Sequence, residues 1–392
     1  MKEIDMFNKT DQELKDLGAD ITTREIKQQP ALWEEVIQDF KTNGEYYANF
    51  LSTIKDRHAH TRVIFTGAGT SAFVGESIKE YLNKVEGEGK LSFEAIATTD
   101  LVATPEYYLK EDVPTILVSF ARSGNSPESV AAVNVADQIV KDLYHITITC
   151  SKEGKLAQAA EKSDDNLLIL QPELSNDQGF AMTGSYTCMA LSALFLFDPT
   201  DLSQKIDWAR QIVKLGGQVI DREDEIADLV SGDFNRVVYL GGANFFGLAK
   251  ESQLKILELT AGQIATQYET PLGFRHGPKS FVNEETIVIL FASNDAYTRQ
   301  YEEDIMNEVY HDKIANQVLS VSTKKLDHDA KQFVLDSDLE VPDAYLVLPY
   351  VILGQTVSLH TAVKVGNKPD TPSPTGTVNR VVQGVVIYDY DK

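Results

Sequence analysis

Two segments of this chain place small and hydroxyl-bearing residues where an apolar run stops. Residues 63–71 read Val-Ile-Phe-Thr-Gly-Ala-Gly-Thr-Ser, and residues 116–127 read Ile-Leu-Val-Ser-Phe-Ala-Arg-Ser-Gly-Asn-Ser-Pro. Each reads as a strand giving way to a helix. A helix N-terminus offers unpaired N–H groups and the positive end of its dipole, which is chemistry for holding an anion. Gly69, Thr70 and Ser71 in the first turn, and Ser123, Gly124 and Ser126 in the second, are therefore candidate phosphate ligands. Gly124 permits close backbone approach, and Ser126 ahead of Pro127 has the form of an N-cap before a first-turn proline. Capping alone explains Ser126 but not the polar density at Ser123 and Asn125. A third polar turn, residues 178–185, contains Thr183, which either caps the helix after it or completes the cradle.

A second set of residues suits proton transfer. Lys255 and Glu258 stand three apart and share one face of a helix. Such a pair is either a surface ion pair or an acid–base couple. His276 lies in Gly-Phe-Arg-His-Gly-Pro-Lys, residues 273–279, a stretch that cannot be regular helix. Histidine titrates near neutral pH and can shuttle protons. A dinucleotide fingerprint is disfavoured, because its third glycine is replaced by Ala72. His58, His60, His311 and His328 show no metal-ligand spacing, so neither a metal nor a cofactor is expected.

These residues need rigid elements behind them. Residues 1–60 carry helical spacing around Leu14–Ile21, Trp33–Phe40 and Tyr46–Ile54, which predicts a helical arm. From 62 to 200, apolar strand candidates at 62–67, 92–97, 114–120, 144–150 and 166–171 alternate with helices near 71–84, 127–142 and 154–162, and a long helix covers 181–197. That alternation predicts an α/β fold with a parallel sheet. A charged helical connector spans 203–232. A second alternating unit then has strands near 235–241, 263–269, 286–292, 316–322 and 344–349 and helices near 245–261, 297–312 and 350–365. The shared order of elements is a weak internal repeat. Residues 366–376 read as a loop, and 381–390 as a last strand or tail.

Composition limits the partners. The 392 residues carry 59 acidic and 36 basic side chains, a net charge of −23. Nucleic acid and anionic membranes need basic surface, so neither is an expected partner. An anionic ligand must be met by local donors. The two cysteines, Cys150 and Cys188, sit in apolar surroundings and read as buried thiols in a reducing compartment. The N-terminus has no apolar signal region. The longest apolar stretch, Met189–Phe197, is too short to span a bilayer. A cytoplasmic location is expected.

Taken together, the two turns and the Arg-His-Gly-Pro segment at 275–278 resemble the sugar isomerase (SIS) domain family. The Arg-His-Gly-Pro stretch is similar to the Lys-His-Gly-Pro of the isomerase half of glucosamine-6-phosphate synthase. The segment Pro-Thr-Gly-Thr-Val-Asn-Arg-Val-Val-Gln-Gly at 374–384 is similar to the AgaS-type group, described as galactosamine-6-phosphate deaminase/isomerases or, earlier, tagatose-6-phosphate ketose/aldose isomerases. The resemblance runs from about residue 45 to 390. It implies two tandem SIS domains, at 45–202 and 203–392, behind a helical arm at 1–44. It places a sugar phosphate against Gly69, Thr70, Ser71, Ser123, Gly124 and Ser126, with Thr183 nearby. It makes Glu258 the base that moves a proton between C1 and C2, Lys255 its assisting lysine, and His276 the ring-opening histidine. In the related synthase that histidine reaches in from a neighbouring subunit, which implies a homodimer or higher homo-oligomer.

The synthase also has a C-terminal lysine that forms an imine with a ketose. Here the chain reads Asn379-Arg380-Val381-Val382, so Arg380 can contact substrate but cannot form an imine. The 60 residues ahead of the first strand cannot hold a glutamine-hydrolysing domain. Ammonia release from an amino sugar is therefore expected, rather than glutamine use. Simple aldose–ketose isomerisation uses the same proton shuttle and stays open. A non-catalytic sugar-phosphate sensor is the reading from another class, and it has no need of Glu258 and His276 together.

Overall fold

The computed structural model describes residues 5–380, 382 and 384–390. Val381 and Gln383, within the segment that carries part of the family resemblance, lie outside the described residues, as do the last two positions. The elements in chain order begin with α1 (Asp11–Leu17), α2 (Asp20–Lys27) and α3 (Gln29–Arg57). A capping box between Thr10 and Glu13 starts α1, and Gly18 in the left-handed region ends it. The spacing around Trp33 and Tyr46 predicts two helices. The structure has one, 29 residues long, because Gly44 weakens a helix without ending it.

The first sheet is built from β1 (Thr61–Thr66), β2 (Leu91–Ala95), β3 (Thr115–Ala121), β4 (Leu143–Thr149) and β5 (Asn166–Leu170). Its helices are α4 (Thr70–Glu86), α5 (Thr98–Ala103), α6 (Pro105–Tyr108), α7 (Pro127–Ile139), α8 (Lys155–Ala160) and α9 (Gly184–Phe197). All seven residues of β3 and all fourteen of α9 are buried. A strand covered on both faces needs no alternation, and a helix buried all round needs no polar stripe.

Next come α10 (Leu202–Asp221) and α11 (Glu223–Leu229). The second sheet has β6 (Arg236–Gly241), β7 (Ala265–Glu269), β8 (Thr286–Phe291), β9 (Gln317–Ser322) and β10 (Lys331–Val334). Its helices are α12 (Asn244–Leu259), α13 (Ala296–His311) and α14 (Asp343–Lys364). The expected strand at 344–349 is instead the start of α14, which runs on through Pro349. The apolar run Ala344–Leu348 suits a buried strand or a buried helix equally well, and periodicity does not separate the two. The fifth strand is β10, Lys-Gln-Phe-Val, an edge strand with too few apolar residues to show a pattern. Among the described residues, α14 is the one helix long and apolar enough to cross a membrane, so Met189–Phe197 is not the longest apolar element. Since 94% of that stretch is buried inside the protein, α14 is a core helix.

The chain forms two compact units that interleave in sequence. One comprises residues Ala31–Asp177, Met182–Ile206 and the chain from Val378 onward. The other comprises the chain up to Pro30, Gln178–Ala181 and Asp207–Thr377. Each unit holds one sheet. The first sheet has the order β2-β1-β3-β4-β5 and the second β7-β6-β8-β9-β10, and every pairing is parallel. The two orders are the same topology, so the weak repeat in the sequence is a full repeat in the fold. In this topology the strand order reverses at the first strand. Ligands bind at such a reversal, beyond the carboxyl ends of the two strands that flank it.

Candidate functional site

In the first-sheet unit the reversal lies between β1 and β3, where Thr66 pairs with Ser119. Both predicted turns leave the sheet here. Gly67 follows β1, and a Cβ on it would stand 2.5 Å from the Ser71 backbone, so only glycine allows this tight turn. Gly69 is the N-cap of α4, with φ 56°, and no side chain caps the helix. Thr70 and Ser71 lie buried in the first turn. After β3, Gly124 has φ 66° and Ser126 is the N-cap of α7 with Pro127 at the first helical position. The Ser126 hydroxyl makes no capping hydrogen bond. The capping reading of Ser126 thus fails on geometry, while its position at the helix start holds. Ser123 Oγ accepts the Asn125 N–H at 3.3 Å, which leaves its own proton to direct elsewhere.

Thr183 is placed differently. The Asp177 carboxylate is fully buried at the start of α9. It accepts the Thr183, Gly184 and Ser185 N–H groups at 2.8, 3.1 and 3.0 Å and the Thr183 and Ser185 hydroxyls at 2.9 and 2.5 Å. This helix N-terminus already holds an anion, the protein's own. The donors of Thr183 are taken, which corrects the expectation that they face a phosphate. Arg380 is likewise engaged. Its Nε donates to the Asp177 carbonyl at 2.9 Å, and its own carbonyl accepts Arg122 Nη2 at 2.6 Å. Arg380 in this position ties the chain after Val378 to the turn at 176–177 and to the residue before Ser123.

The second-sheet unit carries Lys255, Glu258 and His276. Lys255 Nζ stands 2.6 Å from Glu258 Oε2 and 3.4 Å from Glu251 Oε1, all on α12. The Lys255 side chain is 1% exposed, that of Glu251 0% and that of Glu258 24%, so this is no surface pair. Burial works against the charge of Lys255, and the two carboxylates more than offset it, holding its pKa above the usual lysine value. Glu258 alone of the three reaches toward solvent, as a base that must meet substrate would. Glu251 is absent from the sequence-based candidates. Its signal was present, one turn before Lys255 on the same face, but nothing in the sequence marked it as buried.

His276 follows β7 in a short turn. It is exposed, and Phe274, two residues before it, is fully buried in the core with Val288, Leu290 and Ile305. Gly277 has φ 120°, a conformation that side-chain-bearing residues rarely adopt. The fold thus brings Gly69, Thr70, Ser71, Ser123, Gly124 and Ser126 together in one unit, and Lys255, Glu258 and His276 in the other.

At the same reversal in the second sheet α12 also starts without a side-chain cap, but the turn after β8 is filled. Here Ser293 and Asn294 follow β8. Ser293 Oγ donates to Asp343 Oδ2 at 2.5 Å, the Asn294 N–H to Asp343 Oδ1 at 2.9 Å, and the Ser293 N–H to Glu302 Oε2 at 2.9 Å. Burial pushes the Glu302 carboxyl up to about 8, opposed by the Ser293 N–H and raised further by Asp343. Both cysteines are buried and unpaired with each other, and burial pushes the Cys150 thiol up to about 12.

Comparison with known proteins agrees with this architecture. The SIS domain family matches residues 57–197. The D-galactosamine-6-phosphate deaminase AgaS of Shewanella sp. (strain ANA-3) is 40% identical over 383 residues, covering 97% of this chain and 95% of that protein. The Escherichia coli protein of the same name is 40% identical over 373 residues, covering 94% and 96%. The solved structure of tagatose-6-phosphate ketose/aldose isomerase from Escherichia coli superposes with a TM-score of 0.86 at 38% identity, covering 95% of this chain and 97% of that one. On identity across nearly its full length, and on its two α/β units, the chain belongs to the SIS-domain family of sugar-phosphate enzymes, in the AgaS group.

Proposed function

We propose that this enzyme converts galactosamine 6-phosphate to tagatose 6-phosphate and ammonia. The observation that carries the reading is the buried Glu251–Lys255–Glu258 set with one carboxylate left partly open. A sensor has no use for a buried cation set against a partly open carboxylate. Near-full-length identity to relatives named galactosamine-6-phosphate deaminases supports the substrate.

In this reading the phosphate sits at the Gly69–Ser71 and Ser123–Ser126 turns, held by helix N-termini and hydroxyls. His276 moves the proton that opens the pyranose ring. Glu258 takes the proton from C2 of the free aldehyde, giving an enolamine, and returns it to C1. The product is a C2 ketimine, which water hydrolyses to the ketose and ammonia. Lys255 holds Glu258 in place through its 2.6 Å contact and donates toward the developing oxyanion at C1. With a hydroxyl at C2 the same steps give plain isomerisation, the reaction named for the Escherichia coli structural relative. We place the protein in the cytoplasm as a homo-oligomer, in keeping with two buried thiols and an exposed His276.

Ammonia release from galactosamine 6-phosphate, measured beside glucosamine 6-phosphate and a Glu258→Gln variant, tests this. Release that disappears in the variant is expected. Conversion of tagatose 6-phosphate with no ammonia from either amino sugar makes it a plain isomerase. Binding with no turnover of any of the three makes it a sensor.

A further inference from the structure

The motif residues Arg275 and Lys279 flank His276, and both point into α13. Arg275 Nε donates to Glu308 Oε2 at 2.6 Å and Arg275 Nη2 to Asp304 Oδ2 at 3.2 Å. Lys279 Nζ pairs with the other oxygen of Glu308 and with Asp312 at 2.5 Å. Asp304 and Glu308 on α13 and Asp312 at its C-cap are spaced by four residues and so form one carboxylate stripe. Glu308 is the shared member, since one oxygen holds the residue before His276 and the other holds Lys279 beyond it. Phe274 pins the same segment from the core side. Three of the four side chains near His276 are therefore fixed, and the histidine projects from a loop that has nowhere to drift.

We propose that Glu308 is a positioning residue for His276, holding the histidine loop at the angle that ring opening needs. The proposal rests on the reading above, in which His276 opens the ring. Isolated surface ion pairs contribute little to stability. This one closes a fork on both sides of a single functional side chain, where the return is in geometry. A displacement of about 1 Å in a reacting group can cost about 100-fold in rate. Lys279, and then Arg275, hold the Glu308 carboxyl below the usual carboxylate range.

A double-mutant cycle on the full chain tests it, with ammonia release from galactosamine 6-phosphate as the assay. The variants are Glu308→Gln, His276→Asn and the two combined, with Glu303→Gln as a control on a neighbouring position of α13. Spontaneous ring opening leaves His276→Asn a measurable residual rate. Glu308→Gln is expected to lower kcat about 10-fold, with KM within about 2-fold and an unchanged melting temperature. The combined variant is expected to match His276→Asn alone, because Glu308 acts only through the histidine. Losses that multiply in the combined variant overturn the proposal, as does a Glu308→Gln enzyme with wild-type kcat beside an impaired His276→Asn. A His276→Asn enzyme with wild-type kcat overturns the histidine reading itself, and the clamp with it; no other outcome has that signature. If Glu308→Gln does not fold, Arg275→Gln breaks the same fork from the loop side and carries the same cycle.

Discussion

The two sheets have the same strand order, yet the turn beside the reversal differs: Ser126 after β3 makes no capping bond, whereas the turn after β8 is filled by the protein's own carboxylates. Beyond β1 and β3, two helix N-termini stand without side-chain caps, and the Ser126 hydroxyl is not used locally. Beyond β6 and β8, the Asp343 carboxylate takes the Ser293 hydroxyl and the Asn294 amide, and Glu302 takes the Ser293 amide. The same backbone turn is thus left uncapped in one unit and self-capped in the other, depending on whether a carboxylate side chain already occupies it. Topology supplies the donors, and side chains decide whether they face a ligand. The filled unit instead carries a buried ion-pair set on α12, Lys255 and its two glutamates.

Substitutions in the two units should separate accordingly. The largest effect is expected from Glu258→Gln, with kcat for ammonia release down about 1,000-fold and KM within a few-fold, since a general base acts in the transition state. Exchange of the C2 proton with deuterium, followed by NMR, should vanish with it. A variant that still exchanges that proton would put the base elsewhere.

Lys255→Met removes the cation that stands 3.4 Å from the buried Glu251. Loss of one partner of a buried ion pair costs about 3–5 kcal/mol, so a lowered melting temperature is expected together with lost activity. A variant that melts like the wild type would show that the lysine does not stabilise the carboxylates.

Ser123→Ala and Ser126→Ala come next. Each is expected to raise KM about 10-fold through a lost hydrogen bond to a charged group, with no change in melting temperature, because neither hydroxyl caps a helix. Ser293→Ala at the filled corner should do the opposite and lower the melting temperature while KM stays put. Equal effects of the two kinds of serine on KM would erase the contrast between open and filled.

The smallest expected effect is that of Glu302→Gln on pH dependence. The folded pKa of Glu302 is raised from 4.5 to about 8. Its neutral form therefore favours the folded state fully below 4.5, and that contribution fades as pH rises to about 8. Glu302→Gln should flatten this decline and raise the melting temperature above pH 8 by roughly 2 °C or more. An unchanged slope would mean that the buried carboxyl is already charged in the folded protein.

Much of this was legible in the sequence. All five strands of the first sheet, the first four of the second, both glycine turns and the Lys255–Glu258 pair stand out because apolar runs, glycines and helical spacing are local signals. What stayed hidden depends on residues far apart in the chain. Asp177 fills the α9 N-terminus from outside that helix, so Thr183 looked free. Asp343 reaches Ser293 across 50 positions, and no pattern in either segment announces it. The opening of α14 looked like a strand because a fully buried element has no polar face to reveal its period. β10 was missed for the reverse reason, being an edge strand too polar to register.

The way the second-sheet unit is assembled has a consequence for its synthesis. Its N-terminal portion ends at Pro30, while α14 ends at Lys364. The amides of Met6 and Phe7 are held by Glu223, whose carboxylate also binds His360, and Asp370 holds the amides of Ile21 and Thr22. Ile21 therefore leaves the ribosome 349 positions ahead of the Asp370 that holds its amide. At a rate of about 5–20 residues per second, that interval is on the order of a minute or less, during which the apolar face of the arm has no partner from its own unit. The first-sheet unit has its whole sheet made by Leu170, so a cell that is short of chaperones should lose the late-closing unit first.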